Sequence, residues 1–291
     1  MKKGLVSTLA GRLEMARAWL SGPSYHDQTY AVVDGQELCL DLYLPFWTPS
    51  PPLVIYIHGG GWQTGSYKEA GARWLTGYGF AVASVQHRFS QTAKFPAQIH
   101  DIHAAIRWLR AYADRLGYQA DHLGMVGVSS GGHLAMLAGT NTGDPALQGQ
   151  LGNHREESVH LSAVVNYFGA SDLILRSQSQ PEQTEPPYSV VHQLLGHSPT
   201  EDPAGAKLAS PAYQVGDQAA PLFIIHGEDD PQVLIDQAHR MVSAYEQADR
   251  PVLFEPVAGG GHGGAGFSTK SIHQKVVAFL SDHLQPTDTS V

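Results

Sequence analysis

The chain has 291 residues, 42% of them hydrophobic and 15% charged, which suits a globular protein able to bury a sizeable core in one large α/β domain or two small ones. A formal net charge of −9 without any block of lysine and arginine argues against a nucleic-acid or anionic-membrane partner. The lone cysteine, Cys39, excludes an internal disulfide, and its place in an alternating pattern predicts a buried thiol.

Met1-Lys2-Lys3-Gly4-Leu5-Val6 opens like a secretion signal. Ser7, Thr8, Gly11, Arg12, Glu14 and Arg17 then break the apolar run before it reaches the length of an h-region or a membrane span. A cytoplasmic location is therefore expected. Leu5, Leu9, Leu13, Ala16 and Leu20 recur at helical spacing and predict an amphipathic helix over 4–20, either packed on the surface or covering a site mouth. No internal repeat is visible. Thr29–Val33 and Glu37–Leu44 flank Asp34-Gly35, a hairpin signal. Strands follow over 53–57, 80–85, 123–128, 163–168, 222–225 and 252–256. Helices are expected near 67–77 and over 97–116, 130–138, 232–247 and 271–284. A hairpin followed by repeated βα units predicts an α/β fold, a mostly parallel sheet of about eight strands with helices on both faces. Residues 176–190, rich in Gln, Ser, Pro and Glu, read either as a small lid or as a solvated loop.

Two motifs carry chemistry. His58-Gly59-Gly60-Gly61-Trp62 stands directly after a buried strand, and its three glycines leave backbone N–H groups unshielded. Such amides can hold an oxygen that becomes negative during a reaction. Gly127-Val128-Ser129-Ser130-Gly131-Gly132 centres Ser129 in G-x-S-x-G between a strand and a helix, where a sharp turn exposes the hydroxyl. Serine needs a base, and the base needs an orienting acid. Of sixteen histidines, His262 has the position: it lies among glycines just after the last strand. Asp230, in His226-Gly227-Glu228-Asp229-Asp230-Pro231, is the expected acid from the chain order Ser…Asp…His; Asp172, after the strand ending at Phe168, competes for the role. The oxyanion donors are expected to be the amides of Gly60, Gly61 and Ser130. His58 is expected to brace the loop. Trp62 is expected at the pocket mouth, as a substrate contact or as packing. His100, Asp101 and His103 lack open metal-site spacing and read as structural; Asp101 is expected to pair with Arg88. The glycine runs lack a phosphate-loop lysine. Neither a cofactor nor a metal is expected.

These residues resemble the α/β-hydrolase superfamily, and within it the carboxylesterases of the hormone-sensitive-lipase and BD-FAE (feruloyl-esterase-like) groups. The resemblance runs from about residue 27 to 285. It includes Leu40-Asp41-Leu42-Tyr43-Leu44-Pro45, the triglycine loop, Phe95-Pro96-Ala97-Gln98 followed by Asp101, Gly131-Gly132-His133-Leu134-Ala135, Ser210-Pro211 and His226-Gly227. It implies a Ser129–His262–Asp230 triad and oxyanion donors at Gly60, Gly61 and Ser130. The sequence departs from the family pattern at Ser130, where alanine is usual, and at His87-Arg88, where Tyr-Arg is usual. Pro231-Gln232-Val233-Leu234 also lacks the family's later proline. Together with the helical spacing at the N-terminus, the resemblance predicts an N-terminal amphipathic helical segment over 1–23, an α/β-hydrolase catalytic domain over 24–285 and a C-terminal tail over 286–291. The expected activity is a serine carboxylesterase acting through an acyl-enzyme on short-chain, aryl or acetyl esters, with a small-molecule ester as partner. Feruloyl or acetylxylan esters, a peptidase on the same scaffold and a ligand receptor without catalysis stay open, and nothing indicates an oligomeric state.

Overall fold

In the computed structural model, residues 22–140 and 143–285 are described; the helix expected over 4–20 and the tail over 286–291 lie outside them. β1 (Tyr25–Val33) and β2 (Gln36–Tyr43) form an antiparallel hairpin. Its turn places Asp34 and Gly35 at φ 51° and 80°, the left-handed pair that a two-residue hairpin with native twist requires. β2 runs antiparallel to β4 (Ala81–Val85). From there β3 (Pro52–Ile57), β4, β5 (Gln119–Val128), β6 (Ala163–Tyr167), β7 (Leu222–Gly227) and β8 (Val252–Val257) pair in parallel. The order across the sheet is β1-β2-β4-β3-β5-β6-β7-β8. β3 thus lies between β4 and β5, so the winding reverses there, and a crevice opens beyond the carboxyl ends of strands at such a point.

β3, β4, β6 and β7 are buried along their whole length, and β3 and β4 read as near-continuous apolar runs, whereas the edge strands β1 and β8 are largely half-buried or exposed. Leu53, Ile55 and Ile57 point into one core with α1 (Ala97–Ala111), α2 (Ser130–Thr140) and α5 (Asp236–Gln247); Val54 and Tyr56 point into the opposite core with α6 (Lys270–Leu284). The period of two along a strand makes this division. Each such aliphatic side chain contributes about 1.5–3 kcal/mol by leaving water. Between β6 and β7 lie α3 (Leu173–Ser179), α4 (Val190–Leu195) and a further six-residue helix, Pro203–Leu208, among 3-10 turns.

The structure departs from the periodicity in three places. The helix expected near 67–77 is two short 3-10 turns, Tyr67–Glu69 and Arg73–Tyr78. Between them Gly71 lies so close to Tyr56 that a Cβ would overlap the phenol oxygen. The helix expected over 97–116 stops at Ala111, and Ala113–Leu116 forms a separate turn. The helix expected from 232 starts at Asp236, because residues 230–235 wrap a carboxylate instead. Arg88 and Asp101 form the expected pair: Nη2 donates to Oδ1 at 2.7 Å and the Arg88 amide donates to Oδ2 at 2.8 Å, tying the end of β4 to α1. Among the described residues, no helix is long and apolar enough to cross a membrane.

Candidate active site

The crevice beyond β3, β5, β7 and β8 receives one loop from each strand. Ile57 pairs with Gly127 across the ladder, so the triglycine loop and the serine turn emerge side by side. Ser129 sits at φ 55°, a strained left-handed position for a residue with a side chain. Its amide donates to the Tyr167 carbonyl at 2.8 Å, and its carbonyl accepts from the His133 amide at 3.0 Å. A Cβ on Gly127 would overlap the Gly131 carbonyl, and one on Gly131 would overlap the Ile57 carbonyl. Both flanking glycines are therefore required for the backbone to double back.

The Ser129 hydroxyl lies 2.8 Å from His262 Nε2, and His262 Nδ1 lies 2.7 Å from Asp230 Oδ2. A carboxylate can only accept, so Nδ1 carries the proton and Nε2 is left to accept from the serine. The loop after β8 brings His262 here by docking on the loop after β7. The Glu228 amide donates to the Val257 carbonyl (3.1 Å) and the Asp229 amide to the Gly260 carbonyl (2.9 Å). Gly227 permits that approach, since a Cβ would overlap the Gly260 and Gly261 carbonyls. The His262 ring rests against Phe168, with centroids 4.7 Å apart.

Asp230 is 2% exposed. Its Oδ1 accepts from the amides of Gln232 (2.8 Å) and Val233 (3.0 Å). Burial alone would raise its pKa, but hydrogen bonds from His226 and His262 and from the Val233 amide hold the carboxyl well below the ordinary carboxylate range. His226 also donates from Nε2 to the Val233 carbonyl at 2.7 Å, closing the turn. Asp172 lies elsewhere: Oδ1 caps α3 by accepting from Ile174 and Leu175 (3.0 and 2.9 Å), and Oδ2 accepts from Arg240 Nε at 3.0 Å.

Gly59, Gly60 and Gly61 stand on the cavity wall with Ser129 and Ser130. The Gly60 carbonyl accepts from the Gln63 and Thr64 amides at 3.1 and 3.0 Å, closing a turn in which Gly60 has φ 121° and Gly61 has φ 61°. Ser130 opens α2, so its N–H is one of the amides that no helical turn satisfies; its buried hydroxyl has no partner. His58 Nδ1 donates to the Gly59 carbonyl at 2.7 Å, the brace expected of it. Trp62 lines the cavity yet is 2% exposed, and its indole N–H donates to His133 Nδ1 at 3.2 Å.

The cavity has a volume of about 730 Å³. One wall comes from the segment that sequence left undecided between lid and loop: Arg176, Gln183, Tyr188 and Val190 line it, facing the glycine loop. Sequence reasoning missed these residues, along with Phe168 and His226. Phe168 and His226 stand at or just after the ends of parallel strands, which was a usable signal; the wall residues offered none. Among the described residues, no group of three His, Cys, Asp or Glu could hold a metal. His100 and His103 are occupied with the Ala146 and Gln148 carbonyls at 2.8 and 3.3 Å.

Residues 40–245 match the family model described as BD-FAE. Esterase LipC of Mycobacterium tuberculosis is 30% identical over 220 residues, covering 74% of this chain and 54% of that protein. The chain spans about half the length of the curated relatives it matches. A truncated carbohydrate esterase from gut microbiota superposes with a TM-score of 0.82 at 29% identity, covering 91% of this chain and 100% of that one. A bifunctional GH43-CE protein of Bacteroides eggerthii gives a TM-score of 0.82 at 32% identity, covering 89% of this chain and 35% of that one.

Proposed function

The chain belongs to the BD-FAE family, with an α/β-hydrolase fold, and on that premise we propose that it hydrolyses carboxylic esters through an acyl-enzyme on Ser129. The carrying observation is the relay of 2.8 Å from the Ser129 hydroxyl to His262 and 2.7 Å from His262 to Asp230. In this reading His262 Nε2 takes the hydroxyl proton as Oγ attacks the ester carbonyl carbon. The carbonyl oxygen becomes an oxyanion facing the amides of Gly60, Gly61 and Ser130. Each such donor typically contributes about 3–4 kcal/mol of transition-state stabilisation. Nε2–H then protonates the departing alkoxide, leaving Ser129 acylated. A water enters, loses its proton to the same nitrogen and attacks the acyl carbon, and the acid leaves as Oγ regains its proton. Asp230 holds the tautomer and stabilises the imidazolium without itself taking the proton.

The substrates in this reading are small esters with short acyl, aryl or acetyl groups, in a cavity of about 730 Å³. The names of the relatives support ester hydrolysis, and Gln63, Thr64, Gln183 and Gln232 among the lining residues offer a substrate hydrogen-bond partners within a mainly apolar cavity. Trp62 would serve as part of the wall. The test is covalent labelling with a fluorophosphonate and mapping of the modified peptide, together with turnover of 4-nitrophenyl acetate. Ser129 should be the labelled residue, and Ser129→Ala should lose turnover while keeping its unfolding transition. A label on any other residue overturns the proposal.

A further inference from the structure

α3 brings Arg176 into the wall of the cavity that Ser129 and His262 also line. The residue is 4% exposed. Its Nη2 donates to the Gln232 carbonyl at 2.9 Å and lies 3.5 Å from Gln183 Oε1, while its buried Nε has no partner. Among the described residues, no carboxylate approaches it within ion-pair distance. Arg88 and Arg240, by contrast, meet Asp101 at 2.7 Å and Asp172 at 3.0 Å. Arg107 and Arg110 also reach backbone carbonyls, but neither lines the cavity that holds Ser129.

A guanidinium withdrawn from water without a counter-ion is costly. Burial pulls its pKa down to about 10, and the Asp230 and Asp236 charges work against that fall, so it remains a cation at neutral pH. Asp230 is committed to His262 and two amides. Glu182 stands exposed on the cavity rim, where water screens it. Among the described residues, then, no carboxylate contacts the guanidinium, and an anionic ligand in the cavity can supply the contact.

The geometry points to Arg176 as a specificity-determining residue: the ester cleaved here carries a carboxylate, which pairs with the Arg176 guanidinium while Ser129 attacks the carbonyl. This inference rests on the ester-hydrolase reading and names its substrate class. A carboxylate is favoured over a phosphate because, among the described residues, Arg176 is the one lysine or arginine lining the cavity, and a single planar fork matches a singly charged planar anion. The carboxylate could sit on either side of the scissile bond, and two pairs of substrates separate these cases. 4-Acetoxybenzoate against its methyl ester carries the charge on the alcohol side. 4-Nitrophenyl hydrogen adipate against 4-nitrophenyl hexanoate carries it on the acyl side.

In one pair the wild-type protein should favour the anionic member by about tenfold to a hundredfold in KM, the usual worth of a hydrogen bond to a charged group. Arg176→Gln retains a donor for the Gln232 carbonyl and drops the charge. It should collapse the ratio of kcat/KM between the two members by the same factor, and Arg176→Lys should keep part of it. A residue that merely braced the Gln232 turn would lower both members together, and that result overturns the inference. So does a wild-type protein with no preference in either pair, whether or not the variants fold. If the wild type hydrolyses none of the four esters, the ester-hydrolase reading fails and takes this one with it; turnover of the neutral esters without an anionic preference sinks the Arg176 assignment alone.

Discussion

Asp230 and Asp172 show how two carboxylates of one chain divide their work by what surrounds them. Both are buried, at 2% exposure. Asp172 spends one oxygen on the first turn of α3 and the other on Arg240, whereas Asp230 meets a histidine ring. Asp230→Asn should reduce kcat roughly 10³–10⁴-fold, because an amide cannot fix the imidazole tautomer as a carboxylate does. Asp172→Asn should leave kcat within a few-fold and lower stability by about 1 kcal/mol or more, through the weakened cap and the stranded Arg240. Steady-state kinetics and urea unfolding of the two variants check the pair of outcomes, and a larger kinetic loss at Asp172 would reverse the assignment. At this scale the sequence was informative where a residue's neighbours in the chain set its task. Ser129, between Gly127 and Gly131, could be read directly. The choice between Asp230 and Asp172 leaned on chain order, since neither flanking sequence states which acid the loop after β8 will reach.

At the scale of elements, the site depends on how closely backbones approach. β3 and β5 are adjacent, and the turn after β5 folds back against the end of β3 with no space between Gly131 and the carbonyls of Ile57 and His58. Those oxygens belong to the backbone and cannot swing aside. Gly131→Ala should therefore cost at least about 3 kcal/mol or prevent folding, read out as a loss of the cooperative melt; an unchanged melt would mean that the turn is looser than described. Strand and helix periodicity predicted this framework well, because burial on both faces makes the central strands β3 and β4 almost uniformly apolar. It failed over 67–77, where the close approach of Gly71 to Tyr56 is a tertiary contact invisible to local pattern. It also left 176–190 undecided. Two of the glutamines that made that stretch look solvated tie it to the turn after β7: Gln180 and Gln183 donate to the Pro231 carbonyl at 3.1 and 3.3 Å.

Across the whole molecule, acid sensitivity is built into histidines that are buried uncharged. Burial, with the neighbouring His58 charge, brings His87 down to about 3, and burial brings His133 and His103 down to about 4. His133 shows why: Nε2 donates to the Ala209 carbonyl at 2.7 Å and Nδ1 accepts from Trp62 at 3.2 Å, so a second ring proton would face an N–H. In the unfolded chain the same side chains take up a proton near pH 6.5. The unfolded state therefore binds more protons below that pH. Stability is complete above about 6.5 and declines as pH falls toward the folded values, by up to about 1.4 kcal/mol per pH unit for each histidine. Urea unfolding between pH 7 and 4.5 should show this slope, and His87→Leu should reduce it by about one histidine's share; a flat profile in the wild type would contradict it.

The wall that Arg176, Gln180 and Gln183 build is fastened to the Pro231 and Gln232 carbonyls, on the same short turn whose amides cradle Asp230. The surface that chooses a substrate and the shelf that steadies the acid are thus one piece of masonry. A protein engineer who grafts a foreign segment over 176–190 to change selectivity would also be resetting the foundation beneath His262. New specificity in this scaffold has to be recruited together with a matching turn at 230–233, not installed alone.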